Sequence, residues 1–417
     1  MIRTSLKNLL HAARDLPGLA CFDTDLGVSI LTWGNGSAHT ESAGWQDFVR
    51  AETKSCGTNG GLFTGGVVGW LGYEAGSSVE RMPSPVGPRA THDVCLWRTD
   101  GSIEFNHQSQ ECTVHGTTSF RSQAQQVLHD AAHATTDSFL GATGDPWRPQ
   151  DHLVQSQRYT QAVESVLASV RAGDVYQVNL AWEQSGIPIG DAQETWLQLR
   201  ELNPALRGCY LRSSTTEIVS NSPELFLHID PSSRCISSAP IKGTASTKAG
   251  DSAKQDLWKS PKEKAELTMI VDLVRNDLGR VAIPGSVVAS DRTIRQCGDI
   301  WHAEQIVTAV LEPHLDAVDA VAAAFPPGSV TGAPKVRAME VIHALENQPR
   351  GVYTGALGWF ADGGGVHLNV AIRTATILDG SARFHVGAGI VADSHPTREW
   401  NETLVKAQAL AHSLGAQ

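Results

Sequence analysis

Ser260-Pro261-Lys262-Glu263-Lys264-Ala265-Glu266-Leu267-Thr268-Met269-Ile270-Val271-Asp272-Leu273-Val274-Arg275-Asn276-Asp277 begins with a helix start signal and contains no breaker after it. Ser260 and Glu263 have the spacing of a capping box, and Pro261 stands at the first helical position, where an N–H would lack an intrahelical partner anyway. Leu267, Ile270, Val271 and Val274 recur at three and four residues, so the spacing predicts a helix to about Leu278 with one buried stripe. Glu263 and Glu266 share another face, one turn apart and close to the N-terminus, where the helix dipole favours negative charge. The same Glu-x-x-Glu spacing returns at Glu399 and Glu402, on a helix predicted from Pro396 to near Leu414.

Working outward, Ser156 is a candidate cap for a helix with Tyr159, Ala162, Val163, Val166, Leu167 and Val170 on its apolar face and Gly173 as its stop. Val175 to Leu180 reads as a strand, and so does Val366 to Ile377. From about residue 19 to 120 the chain changes character, with short Val, Ile, Leu and Trp runs punctuated by glycine, as in Gly65 to Glu74. That pattern predicts sheet more than helix. The polar stretch Ala134 to Gln150 reads as a linker or surface loop, which divides the chain into a sheet-rich region, 1–145, and a region of alternating strands and helices, 152–412.

The chain has 417 residues, 41% of them hydrophobic, enough for two ordinary domains or one large intertwined body with a packed core. Its formal net charge of -11 argues against nucleic acid and anionic membrane as partners, because both reward basic surfaces. An anionic substrate therefore needs a locally cationic site. The seven cysteines are odd in number and lack a Cys-x-x-Cys pair, which points to neither a disulfide framework nor a zinc site and suits a reducing cytosol. His11 and Arg14 interrupt any apolar signal core, and no apolar run reaches the roughly 18 residues of a membrane span. A soluble, cytoplasmic protein is expected.

Lys242 lies in the turn-like stretch Ser238-Ala239-Pro240-Ile241-Lys242-Gly243-Thr244, preceded by Asn221-Ser222-Pro223-Glu224. One Glu-x-x-Glu is ordinarily a solvated helix face. Two on facing helices would gather four carboxylates that repel one another unless a cation or protons intervene, and an all-oxygen set selects magnesium over zinc or copper. Candidate cations for an anionic substrate are Arg373, Lys335 and Lys406, the last also spaced for an ordinary i,i+4 pair with Glu402. Gly387-Ala388-Gly389 either lets backbone N–H groups approach an anion or makes a tight strand-to-helix turn. Phe325 to Lys335 lacks the Gly-Lys-Ser/Thr ending of a phosphate loop, and no dinucleotide fingerprint, zinc-protease helix or nucleophile-elbow serine occurs.

Taken in order, Gly173 to Leu180, Ser222-Pro223-Glu224, Pro240 to Thr244, Met269 to Asp277, Phe325 to Lys335 and Gly387 to Ser394 resemble the motifs of the chorismate-binding enzymes. The resemblance spans about residues 152 to 412, and Gly65 to Glu74 is similar to the N-terminal half of the amine-adding members. It implies an α+β body of two mixed or antiparallel β-sheets packed face to face with helices outside, of the anthranilate synthase component I type, with one chorismate site requiring Mg²⁺. By motif position, Glu266 and Glu402 match direct or water-bridged metal ligands, with Glu263 and Glu399 as acidic neighbours. Gly243, Thr244, Tyr353, Arg373, Lys406 and the Gly387 and Gly389 backbone match positions that hold the substrate.

Lys242 sets the expected branch. Relatives that form anthranilate or isochorismate usually have alanine at that position, whereas a lysine there resembles the members that aminate chorismate at C4 toward 4-aminobenzoate and folate. The resemblance implies that the lysine amine adds at C2 as the 4-hydroxyl leaves, after which ammonia enters C4 and expels the lysine, dividing one hard substitution into two. Such a nucleophile needs a pKa below the roughly 10.4 of free lysine. Glu224 matches the general acid for the departing hydroxyl. Gln305 stands where the family commonly has a histidine, and it cannot shuttle a proton near neutral pH. Slower turnover, or no pyruvate elimination, is the expected consequence. With no Cys/His/Glu glutaminase region in the chain, ammonia is expected from a glutamine amidotransferase partner. The alternatives are the anthranilate-forming branch, weakened by the lack of a Leu-Leu-Glu-Ser-like stretch near Leu19 to Asp23, and a noncatalytic chorismate-binding subunit.

Overall fold

Three hydrophobic clusters define the layers of this protein, and each is an interface between two of them. The computed structural model describes residues 4–34, 38–55, 60–83, 87, 91–134, 152–188 and 190–415. A ten-stranded sheet runs, in spatial order, through Gly332–Ala333, Gln177–Gly186, Ser381–Ile390, Thr374–Leu378, Thr216–Ser222, Arg207–Arg212, Ala20–Asp23, Val28–Thr32, Gly101–Asn106 and Glu111–Gly116. An eight-stranded sheet runs through Val288–Ala289, Val307–Val310, Cys235–Ala239, Leu225–Ile229, Val366–Val370, Ala356–Ala361, Gly66–Leu71 and Val94–Thr99. Both sheets draw strands from before and after the expected linker, residues 135–150 of which lie outside the described residues.

Strand periodicity explains the layering, because alternate side chains enter opposite faces. In Ala20–Asp23, Phe22 enters the core between the sheets while Cys21 enters the core behind the large sheet. Between the sheets, Phe22, Trp70, Trp97 and Trp359 pack with Val68 and Leu357, and the Phe22 and Trp359 rings meet edge-on at 5.1 Å. Behind the large sheet lie helices that include His152–Arg171, Lys335–Glu346 and Pro396–Ser413, whereas Trp45–Glu52, Pro261–Gly279 and Ala317–Ala324 cover the outer face of the smaller one. The two sheets thus pack face to face with helices outside, as expected. The pairings between named strands are antiparallel throughout.

Several boundaries depart from the sequence reading. The predicted Ser156 helix begins earlier, at His152, and the 19–120 region includes the Trp45–Glu52 helix and the start of the Thr118–His133 helix. The stretch read as one strand from Val366 to Ile377 is two strands in different sheets, and Lys242 lies in the Ile241–Ser246 strand rather than in a turn. That strand belongs to a third, three-stranded sheet with Ile300–Glu304 and Thr293–Cys297. Ser260 does cap the Pro261–Gly279 helix, its hydroxyl accepting from Glu263 N, but only half of the box forms. The Ser260 N–H is used instead by Asp256 O at 2.9 Å, which leaves the Glu263 carboxylate free of that duty.

Candidate active site

Glu224 and Arg373 stand where the chain crosses from one sheet to another, and Lys242 stands just after such a crossing, at the start of the small third sheet. Pro223-Glu224 joins Thr216–Ser222 of the large sheet to Leu225–Ile229 of the smaller one, and Ala371 to Arg373 makes the return crossing. Pro240 passes the chain from Cys235–Ala239 to the small third sheet. Glu224 and Arg373 lie outside the named strands, though the carbonyl of each still accepts a backbone bond, from Val370 N and Asn221 N, both at 3.0 Å.

Glu224 is pinned from both sides. Its N–H donates to Ser222 Oγ at 3.3 Å and its carbonyl accepts from Val370 N at 3.0 Å. The buried guanidinium of Arg207 donates to Pro223 O at 2.8 Å and to Asp25 Oδ2 at 3.0 Å. Burial raises the Glu224 pKa above the usual carboxylate range, against partial relief from Lys242, a hydrogen bond from the Ser329 side chain and Arg207. Lys242 Nζ donates to Ser329 O at 3.0 Å. Burial lowers the lysine's pKa more than the carboxylates of Glu224, Glu266 and Glu402 raise it, and Lys406 adds to the lowering. Ser329 therefore touches both groups. Nothing within Phe325 to Lys335 marks Ser329 in the sequence, because its contacts with Lys242 and Glu224 come from segments remote in the chain.

Gly243 beside this lysine has φ +82, and a Cβ there would lie 2.6 Å from Glu263 Oε2 and 2.7 Å from Leu257 Cδ1. Gly243→Ala is accordingly expected to lower stability by about 1–3 kcal/mol through strain and the displaced neighbours. Urea unfolding measures this directly, and a loss below about 0.5 kcal/mol would show that the strand relaxes at little cost.

The two Glu-x-x-Glu helices bring their N-terminal turns together. Burial raises the pKa of Glu266, Lys242 and Lys262 pull it back, and Glu263 and Glu402 push it up again. Glu399 is also raised, first by burial, against a hydrogen bond from Ser394. Glu402 goes the other way, since its burial is outweighed by Lys406 at 2.7 Å together with Lys262 and Lys242. Lys262 reaches into this group, 3.7 Å from Glu266, and although burial opposes it, Glu266, Glu399, Glu263 and Glu402 together hold it above the ordinary lysine range. Sequence reasoning passed over Lys262 because on its own helix it is only an exposed first-turn residue.

The donor chemistry fits magnesium, being carboxylate oxygens on two helices that repel one another. Among the described residues no three His, Cys, Asp or Glu side chains close on a single point. The set suits an ion that takes one or two carboxylates and keeps several waters.

On the large-sheet wall, Tyr353 is buried, with its hydroxyl 3.5 Å from Asn179 Nδ2. A Cβ on Gly387 would fall 2.8 Å from that hydroxyl and 2.7 Å from Leu180 O, and one on Gly389 would fall 3.0 Å from Gln177 Nε2. Both glycines lie inside the Ser381–Ile390 strand, so the tight-turn alternative does not hold for them. Gln177 is fully buried with neither amide atom bonded. Lys406 donates to Gly387 O at 3.1 Å as well as pairing with Glu402, which ties this wall to the acidic helix. Lys335 is placed elsewhere, in a buried pair with Asp277 at 2.7 Å that also donates to Ala324 O. Arg373, at φ 50, feels Cys297 and Glu224, and burial lowers its pKa.

Gln305 and Thr244 sit at the margin of this space. Gln305 Nε2 donates to Ser290 O at 2.7 Å, which turns its side chain aside, and Thr244 is exposed. Opposite Thr244 in the small sheet is His302, buried, with Nδ1 unbonded. Burial first, then Arg373 and Arg207, depress its pKa to about 3.

Residues 29–412 match the family described as chorismate binding enzyme, and the chain belongs to that family. It is 35% identical over 358 residues to aminodeoxychorismate synthase component 1 of Klebsiella aerogenes, covering 84% of this chain and 78% of the relative. It is 34% identical over 384 residues to anthranilate synthase component 1 of Geobacillus stearothermophilus, covering 84% and 74%. The fold agrees, for anthranilate synthase component I from Streptococcus pneumoniae superposes with a TM-score of 0.81 at 27% identity over 92% of each chain.

Proposed function

We propose that this chain aminates chorismate at C4, giving 4-amino-4-deoxychorismate with ammonia supplied by a glutamine amidotransferase partner. The observation that carries this reading is the placement of Lys242 and Glu224 on one residue, Ser329, with opposed pKa shifts. A lysine whose free amine is favoured by burial suits a nucleophile, and a carboxyl whose proton is favoured by burial suits the acid that releases the 4-hydroxyl. The Lys242 amine adds at C2, its electron pair shifting the ring double bonds as the C4–O bond breaks and Glu224 protonates the departing oxygen. Ammonia then bonds at C4, the double bonds shift back, and the lysine leaves as its free amine after a proton passes from the new nitrogen to Glu224.

Arg373 and the Tyr353 hydroxyl orient the substrate, and Lys406 holds the Gly387 backbone that faces it. Magnesium, held through Glu266 and Glu402 with Glu263 and Glu399 behind them, would neutralise a substrate carboxylate against the acidic helices. The test is incubation with chorismate, Mg²⁺ and ammonium, with and without an aminodeoxychorismate lyase. Release of 4-aminobenzoate only with the lyase supports the reading. A second reading, anthranilate formation, rests on the nearly equal identity to relatives of that name, and fluorescent anthranilate with pyruvate in the absence of lyase would establish it instead.

A further inference from the structure

A cavity of about 440 Å³ lies beyond Tyr353, on the same face of the large sheet as the chorismate site. Strand register makes that face continuous. Gly387 and Gly389 stand opposite Ala181 and Asn179, and two residues further along the same strand His385 stands opposite Glu183. Arg383 follows, opposite Thr376 on the next strand. The alternate residues Phe384, Val386 and Ala388 all enter the helix-side core. One polar face therefore carries two rooms, and Tyr353 divides them, its hydroxyl at Gly387 and its ring stacked on His385 at 5.3 Å and 16°.

The second room is lined by charged groups of both signs. Glu183, Asp379 and Asp93 line it; Glu183 faces Arg383 at 3.6 Å, and the guanidinium of Arg350, which also borders it, is committed to Glu346 at 2.6 Å, so the acids outnumber the uncommitted cations. Exposure falls inward along the wall, from 48% for the Arg383 side chain to 23% for Glu183 and 7% for His385. His385 Nε2 has no hydrogen-bond partner, since its nearest carboxylate oxygen, on Glu183, is 3.8 Å away. Burial, then Arg350 and Arg383, keep that imidazole neutral by lowering its pKa to about 3. An unbonded polar atom at the dry end of an acidic room marks a place for a hydrogen-bonding guest. The volume accepts an ammonium ion with several waters, each occupying about 30 Å³, and the carboxylates disfavour an anion.

Resting on the proposed amination, we propose that this room is where the reacting nitrogen enters. Ammonium is gathered by Glu183 and its acidic neighbours and gives one proton to the Glu183 carboxylate, which returns it to solvent. The neutral ammonia then moves inward by hydrogen bonding to His385 Nε2 and passes Tyr353 to C4 of the substrate.

The experiment compares wild type with Glu183→Gln, His385→Phe, which keeps a ring against Tyr353, and Thr376→Trp, which narrows the room from its wall. Ammonium saturation is followed with lyase coupling, and chorismate affinity by calorimetry. An ammonium KM raised about tenfold or more in each variant, with chorismate affinity within about twofold of wild type, is the expected result. An unchanged ammonium KM overturns the inference, as does a parallel loss of chorismate affinity. Crystals soaked in rubidium, a cation of ammonium size, give a readout free of turnover, an anomalous peak between Glu183 and His385 being expected. If wild type forms no C4 amine but the peak is present, the amination reading fails and the cation room stands. No peak and no KM change dispose of the room alone.

Discussion

Lys242→Ala is expected to abolish C4 amination, with a loss on the order of a thousandfold or more in kcat, while chorismate still binds. The alanine variant keeps Glu224, Arg373, Tyr353 and the acidic helices, so what it removes is the amine that hydrogen-bonds to Ser329 O. If Lys242 were only a positioning cation, the loss would fall mainly on KM, and a high ammonium concentration would recover kcat. Lyase-coupled assay of 4-aminobenzoate separates the two outcomes, and mass spectrometry of quenched wild-type enzyme should show an adduct on the peptide containing Lys242. Near-wild-type turnover in the variant would remove Lys242 from the mechanism. Arginine at this position is also expected to be inactive, because a guanidinium keeps its charge at every accessible pH.

Glu224→Gln should cost about a hundred- to ten-thousandfold in kcat, the usual contribution of a general acid, with little change in unfolding midpoint because the amide preserves volume. The pH dependence follows from the direction of each shift. Lys242 acts as its free amine, and a pKa lowered by burial lets that form accumulate at lower pH than for an exposed lysine, so activity rises as pH passes the lowered value. Glu224 acts while protonated, and a pKa raised by burial keeps its proton to higher pH than an exposed glutamate, so activity falls as pH passes the raised value. The wild-type kcat/KM profile is therefore bell-shaped, and one limb should vanish in Glu224→Gln. A variant that keeps both limbs would show that another group supplies the proton.

How much of this was legible in the sequence differs from element to element. The Pro261–Gly279 and Pro396–Ser413 helices were readable nearly to the residue because caps, proline and a three-to-four periodicity are local signals. The helix at Trp45–Glu52 went unread in a glycine-rich surrounding, and its N-cap is Gly44 in the left-handed region without a side-chain cap. Glu224, Lys242 and Arg373 were singled out in their own stretches and given roles by motif order, yet nothing local says that Glu224 and Arg373 sit at crossings between sheets with Lys242 just after another. His385 was passed over because a histidine in a strand has no distinctive sequence signal. Its stacking on Tyr353 and its unbonded nitrogen exist only once the strands are paired.

By itself the sequence determined the local and the chemical, namely two Glu-x-x-Glu helix starts, a glutamate after one proline and a lysine two residues after another, and the order of motifs that places the chain in its family. Only the tertiary structure decided which of these meet. Lys335 carries the charge the sequence reading wanted for an anion, but long-range packing spends it on Asp277, while Lys262, unremarkable on its own helix, stands among four carboxylates of two helices. The physical reason is that helix caps and periodicity act within a few residues. The desolvation that shifts Lys242 and Glu224 in opposite directions arises only where segments remote in the chain exclude water together.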